Sequence, residues 1–288
     1  MKDNIFNFLS RTKKTATVGT LNVTPDSFYD GGLYFDNPKK ALKQVDLMIK
    51  AGADIIDVGG ESTRPGSLPV DAKEELRRVL PVIRAMRRQF GKKIIISIDT
   101  NKAKVAEMAV RSGANIVNSL GGFTFDPNLA KIVARYRVPV VIYHVKGEPR
   151  TMQSGQIKYN NVISEINRFF EKQMIIGKKF GVKKKQYILD PGIGFGKSVE
   201  HNLTIIKKFK SFGKWKLPLM IGVSRKSHLG HILQDKLNLK KIPPPEERFE
   251  AGLAEVAVAV MNGANIVRTH DVLETKKFLA ILDELYYS

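Results

Sequence analysis

The run DPGIGFGKS at residues 190–198 ends in the Gly-Lys-Ser of a nucleotide-binding loop, but its spacing is wrong for one. Such a loop places four residues between its first glycine and its Gly-Lys. The position that would have to be glycine is Pro191, so Asp190 and the glycines that follow it serve another purpose. Related residue types recur along the chain. Asn22, Asp57, Asp99, Asn118, His144, Asp190, Arg268 and His270 each stand at or near the end of a short β-rich run, and Lys226 follows another within SRKS. A buried polar group without a partner costs about 1–3 kcal/mol, so a fold that gathers this many is built to have them met by a ligand. Taken singly, any one of them, Asp99 for instance, reads equally well as a helix N-cap.

The elements that must position these residues alternate from end to end. Strands are expected at 15–22, 54–59, 94–99, 115–118, 139–144, 187–190, 218–223 and 265–270. Helical patterns fill 38–51, 71–90, 102–112, 127–136, 161–180, 199–211, 247–262 and 272–286. Asp71 is a start signal, and the glycines of KAGAD, RSGAN and MNGAN end helices just before the next strand, which marks repeated βα construction. Eight βα units predict an α/β fold, a single-domain (β/α)8 TIM barrel over 15–288 with an N-terminal extension at 1–14. In such a barrel the active site lies at the C-terminal ends of the strands, where the polar residues fall. An open doubly wound sheet is the alternative. KIPPPEER at 241–248 reads as a rigid connection before the next helix rather than a domain linker.

Composition removes several classes of function. The chain of 288 residues has no cysteine, which excludes a disulfide framework, thiolate-bound metal and thiol catalysis. No apolar run reaches the roughly 18 residues of a membrane span, and the first residues are too polar for a secretory signal, so a cytoplasmic protein is expected. The net charge of +20 raises the question of nucleic acid. The lysines fall in dispersed pieces, PKKALK, GKKFGVKKK and IIKKFK, on outer helix faces without interleaved aromatics, and read as solvated surface with at most a pull on anionic substrates.

Seven segments in order, LNVTPDSFYDGG, DIIDVGGESTRPG, SIDT, GANIVN, LDPGIGFGKS, GVSRKS and GANIVRTHDV, resemble the dihydropteroate synthase family of pterin-binding enzymes over nearly the whole chain. The resemblance implies a transferase of folate biosynthesis that forms a C–N bond. It would condense a dihydropterin methyl diphosphate with p-aminobenzoate, releasing pyrophosphate through a pterin cation, and would be a sulfonamide target. Asp190 and Asn118 would read the guanine-like pterin edge, which Lys226 would also contact. Asp99 would hold the cation, making Asp99 and Lys226 the catalytic pair. Asn22, Thr63, Arg64, Arg268 and His270 would bind the diphosphate, with Mg2+ bridging its oxygens and Asn22 as the one protein ligand. Phe28 and Pro65 would pack the benzoate ring and Ser227 would meet its carboxylate, under loops after strands one and two that close over the site. In DPGIGFGKS, the glycines would turn the backbone away from the ring, and Lys197 would be solvated at a helix entry. A homodimer is expected, with small-molecule substrates and neither nucleic acid nor membrane as partner.

The chain departs from the family's usual wording at Ser119, where Asp is common, at Tyr143, where Met usually precedes the strand-five histidine, and at Val145-Lys146, which replaces Met-Gln. Tyr143 would alter the wall of the pterin pocket. It keeps open a catalytically silent pterin-binding paralogue, whereas ESTRPG and RTH argue against a methyltetrahydrofolate-dependent methyltransferase barrel, which needs no diphosphate clamp.

Overall fold

The computed structural model describes residues 14–24, 37–62, 68–147 and 157–287. Eight parallel strands, β1 (Ala16–Asn22), β2 (Ile55–Gly59), β3 (Ile95–Asp99), β4 (Ile116–Leu120), β5 (Val140–Tyr143), β6 (Tyr187–Asp190), β7 (Met220–Ile221) and β8 (Ile266–Thr269), lie in the order β6-β5-β4-β3-β2-β1-β8-β7. A single parallel bridge, Leu189 to Leu219, joins the two ends and makes the sheet a barrel rather than an open doubly wound sheet. The seventh expected strand, 218–223, shrinks to Met220–Ile221. Pro218 has no amide to donate and Gly222 begins the turn into SRKS.

Period two runs through every strand, because successive side chains point to opposite faces. Ala16, Val18, Ile55, Ile116, Val141, Ile188, Met220 and Ile266 fill the barrel interior. The residues between them, such as Ile56, Val58, Ile96, Ile98, Ile142 and Leu189, face outward and form the main core with the helices. That core is made by α1 (Pro38–Lys50), α2 (Ala72–Phe90), α3 (Ala103–Arg111), α4 (Asn128–Tyr136), α5 (Val162–Lys179), α6 (Val199–Lys207), α7 (Ser227–Lys236), α8 (Phe249–Met261) and α9 (Val272–Tyr287). In α2, Val79, Val82, Ile83 and Met86 are buried at helical spacing, and Asp71 caps the first turn by accepting from the Glu74 amide at 2.7 Å.

The three repeated turns share one mechanism. Gly52, Gly113 and Gly263 take φ of 93°, 117° and 102°, a region costly for any other residue. The following alanine amides return to the carbonyls of Met48, Ala109 and Ala259, which closes each helix. The Asp or Asn after each alanine then accepts an amide at the start of the preceding strand: Asp54 from Thr17 (2.8 Å), Asn115 from Ile96 (2.9 Å) and Asn265 from Leu219 (3.0 Å). Gly-Ala-Asp/Asn is therefore the device that ties helix end to strand start at the closed floor of the barrel. Asp283 on α9 accepts from the amide and hydroxyl of Thr15 at 2.8 and 2.7 Å, so the last helix anchors the first strand. The extension expected at 1–14 lies outside the described residues except for Lys14.

Two differences from the sequence reading concern helices. α7 follows β7 directly, although SHLGHILQDK carries only a weak apolar stripe and buries His228, Leu229 and Gly230. KIPPPEER therefore connects two helices, α7 and α8, and not a strand to a helix. The stretch 199–211 ends as an α-helix at Lys207 and continues as a 3-10 segment, Phe209–Trp215, that buries Phe209 and Phe212.

Candidate active site

Two residues beyond the apolar interior layer, each strand brings its next inward side chain to the same rim. Val18 is followed by Thr20, Ile55 by Asp57, Ile116 by Asn118, Val141 by Tyr143, Ile188 by Asp190 and Ile266 by Arg268. On β3 the polar positions are Ser97 and then Asp99. Apolar below and polar above is what a barrel with a floor and a site requires.

Arg268 joins the two acidic strands. Its Nε donates to Asp57 Oδ2 at 2.8 Å and its Nη2 to Asp99 Oδ2 at 3.1 Å. Asn118 Nδ2 donates to the same Asp57 oxygen at 2.9 Å, and the Tyr143 hydroxyl donates to Asp99 Oδ1 at 3.1 Å. Asp57 Oδ1, Asn118 Oδ1 and Thr20 Oγ1 are buried without a partner. Three orphan acceptor oxygens in one layer, at about 1–3 kcal/mol each, form a socket for a ligand that brings donors.

Asp190 closes β6 and accepts the Gly192 amide at 2.7 Å. Burial pushes its carboxyl up to about 6, opposed by that amide and by Lys226 and Arg268. Lys226, the cap residue of α7, lays its ammonium 3.8 Å from the centre of the Phe195 ring. Burial and then the positive field of Arg268 bring it down to about 8. Asp99 is pushed up to about 7, by burial first and by Asp57 second, against the pull of Arg268. Burial would lower Arg268, but Asp57 and Asp99 outweigh it and hold the guanidinium above its ordinary value. Lys226 feels the charges of Arg268, Asp190 and Asp99, and Asn118 is tied to Arg268 through Asp57, so Asp99, Asn118, Asp190, Lys226 and Arg268 share one rim.

The remaining expected residues are more scattered. Asn22 ends β1, with its Oδ1 3.4 Å from where a Cβ on Gly59 would stand. His270 lies just past β8, its Nδ1 3.0 Å from Ser224 Oγ. Ser227 is the exposed first residue of α7. Phe28, Thr63, Arg64 and Pro65 lie outside the described residues. Arg225, just before Lys226, holds a φ of 62° and is clamped by a two-pronged ion pair to Asp271, with Nε 2.9 Å from Oδ2. That pair fixes a backbone conformation unfavourable for arginine and so sets where Lys226 begins.

One expectation is corrected. Lys197 is not solvated: it is 3 % exposed, and its Nζ reaches the carbonyls of Gly192 (2.8 Å) and Phe195 (3.0 Å) and the Nδ1 of His144 (2.9 Å). Burial lowers both the amine and the imidazole well below their ordinary values. The amine also lies 3.3 Å from the His144 carbonyl, so three backbone carbonyls accept from it and one imidazole nitrogen pairs with it. Gly192 sits at φ 70° where a Cβ would fall 1.8 Å from the His144 carbonyl oxygen, so the loop rests directly on the end of β5. Lys197→Met removes the side-chain donor from the Phe195 carbonyl and leaves Gly192 only the Phe195 amide, and is expected to cost on the order of 3 kcal/mol. The urea midpoint should fall with an unchanged slope; an unchanged midpoint would contradict it.

Asp57 is a rim residue to which the sequence reading assigned no ligand contact, and Tyr143, read there only as altering the wall of the pterin pocket, gains a polar partner in Asp99. The signal that finds them is period two, counted up from the apolar interior residues Ile55 and Val141.

The comparisons with known proteins agree with this geometry. The model of the family described as "Pterin binding enzyme" matches residues 18–270. The chain is 41% identical over 274 residues to a dihydropteroate synthase of Synechocystis sp., covering 95% of this chain and 91% of that protein. It is also 41% identical over 266 residues to the dihydropteroate synthase of Escherichia coli K12, covering 92% and 90%. Among solved structures, a Yersinia pestis dihydropteroate synthase with a sulfonamide drug complex superposes with a TM-score of 0.88 at 37% identity, over 97% of this chain and 96% of that one. A Clostridium difficile dihydropteroate synthase in the presence of pteroic acid does so at 0.85 and 39%, over 96% and 98%.

Proposed function

The chain belongs to the dihydropteroate synthase family of pterin-binding enzymes, and from that premise we infer that it joins a dihydropterin methyl diphosphate to p-aminobenzoate with release of pyrophosphate. The observation that carries this reading is the socket of orphan acceptors, Asp57 Oδ1 and Asn118 Oδ1, beside Asp190. A pterin edge presents N–H groups as guanine does, and acceptor-only carboxylates with an amide between them match it. Lys226 supplies the donor for the pterin carbonyl and a ring nitrogen.

Asp99 stands where a cation left by the departing diphosphate would be stabilised by fixed negative charge. An aromatic amine attacking such a cation needs little activation. Arg268 has five N–H groups, of which two are committed to Asp57 and Asp99; the rest are available to diphosphate oxygens, together with Asn22, His270, Thr63 and Arg64. Ser227 opens α7, and a helix N-terminus suits the benzoate carboxylate, with Phe28 and Pro65 against the ring. Sulfonamides, one of which is present in the Yersinia pestis structure, would compete there.

Among the described residues no cluster of three His, Asp or Glu side chains could hold a metal alone. The donor set suits Mg2+ held mainly by water and phosphate oxygens, with Asn22 as its protein ligand. Its chemistry there is neutralisation of the leaving diphosphate.

A homodimer and a cytoplasmic location are proposed on the family resemblance. Apolar side chains left exposed on α8 and α9, among them Met261, Ile281 and Leu285, are what a second copy would cover. Among the described residues no helix is long and apolar enough to cross a membrane.

The test is pyrophosphate release by purified protein with Mg2+, the pterin diphosphate and p-aminobenzoate, followed against pH. Asp190 and Asp99 must be ionised and Lys226 protonated. The ratio kcat/KM should therefore rise with pH through about 6 to 7 and fall again through about 8. Pterin binding without pyrophosphate release would make the chain a silent paralogue.

A further inference from the structure

Tyr143 touches both sides of the rim. Its side chain is 5 % exposed, and its hydroxyl donates to Asp99 Oδ1 at 3.1 Å while Arg268 takes the other oxygen. Its ring lies 5.4 Å from that of Phe195, tilted by 57°, and the far partner of Phe195 is the Lys226 ammonium, 3.8 Å from the ring centre. One residue on β5 thus links the carboxylate on β3 to the lysine after β7, across the space between them.

We propose that Tyr143 is a positioning residue for both walls of the pterin site: its hydroxyl fixes the Asp99 carboxylate, and its ring fixes Phe195 and with it the Lys226 ammonium. This rests on the function proposed above and deepens it. The charged and titratable groups facing Asp99 are Asp57 on β2, Glu75 on α2, Tyr143 on β5, Lys226 after β7 and Arg268 on β8. Among them Asp57 repels the carboxylate, and Arg268 is divided between two acids. The Tyr143 hydroxyl is the neutral donor that serves Asp99 alone. Burial and the Asp99 charge hold its pKa well above the ordinary value, so it remains a donor throughout the working range. Tyr143 is therefore a hydrogen-bonded strut between β5 and β3.

The role predicts a split between kinetic constants. Asp99 acts on charge that exists only in the transition state, so loss of its fixed orientation lowers kcat and leaves ground-state binding alone. Tyr143→Phe, which keeps the ring, is expected to lower kcat about tenfold with KM for the pterin diphosphate within twofold. Tyr143→Leu, which also removes the ring, is expected to raise that KM as well, because Phe195 and Lys226 lose their support.

A thermal cycle tests the contact without catalysis. Tyr143→Phe should lower Tm in the otherwise unchanged protein, and should leave Tm unchanged or raise it in an Asp99→Ala background, where the hydroxyl has no acceptor. An unchanged kcat in Tyr143→Phe, or the same loss of Tm in both backgrounds, overturns the proposal. A chain that shows the thermal coupling but never releases pyrophosphate would fail the proposed function and still uphold the strut between Tyr143 and Asp99.

Discussion

Asp99→Ala and Lys226→Ala are each expected to reduce pyrophosphate release by about 10²–10³-fold, while the protein stays folded. A single preorganised group facing developing charge is worth about 10²–10³ in rate. Asp99 is the fixed negative charge proposed to face the cation, and Lys226 the cation proposed for the pterin carbonyl. The effect on stability is opposite in sense to the effect on rate. Burial and Asp57 raise the folded pKa of Asp99 to about 7, well above its unfolded value of 3.8. The folded state therefore holds the proton more tightly than the unfolded state between those values, and folding loses stability as pH rises through that window. An ionised Asp99 at pH 8 is a cost to the fold, and its removal should leave Tm unchanged or higher. Robust turnover in both variants, or a large loss of Tm in Asp99→Ala, would remove these roles.

Arg268→Ala is expected to do the reverse and damage fold and function together. Two carboxylates, Asp57 at 1 % and Asp99 at 11 % side-chain exposure, share this guanidinium. Without it they face each other inside the barrel, and breaking a buried ion pair from one side costs about 3–5 kcal/mol. The pH dependence identifies the cause. In the variant Asp99, already raised above its ordinary value, loses the opposing pull of Arg268, so the deficit is greatest at pH 8 and shrinks as pH falls toward 5 and its protonation removes the repulsion. Urea unfolding at the two pH values measures this directly. A deficit independent of pH would mean that Arg268 contributes only packing. Activity should fall sharply in either case, because the diphosphate would lose one of its proposed donors and Asp99 loses one of its two hydrogen-bond partners.

Most of the barrel was legible in the chain. Alternating β-rich and amphipathic runs, the Gly-Ala-Asp/Asn turns and the polar residue at each strand end are local features, and they reflect local causes: positive φ at a helix end, an amide needing an acceptor, and the two-residue repeat of a strand. The elements that escaped have weak local signals. α7 carries Gly230 and two histidines in place of a clear apolar stripe, and the continuation at Phe209–Trp215 packs through only two phenylalanines.

The sequence by itself determined the eight βα units, the rim on which Asp99, Asn118, Asp190, Lys226 and Arg268 meet, and the family resemblance carried by seven ordered segments. Only the tertiary structure decided who pairs with whom. Arg268 meets Asp57 across 211 positions and Asp99 across 169, Asn118 meets Asp57 across 61, and Tyr143 meets Asp99 across 44. Such pairs depend on how far each strand is staggered when the sheet closes, a quantity no single strand encodes. Burial is decided the same way. Lys197 looks like any lysine at a helix entry until the end of β5 is laid against Gly192, and the same closure that hides its amine supplies the carbonyls and the imidazole that satisfy it.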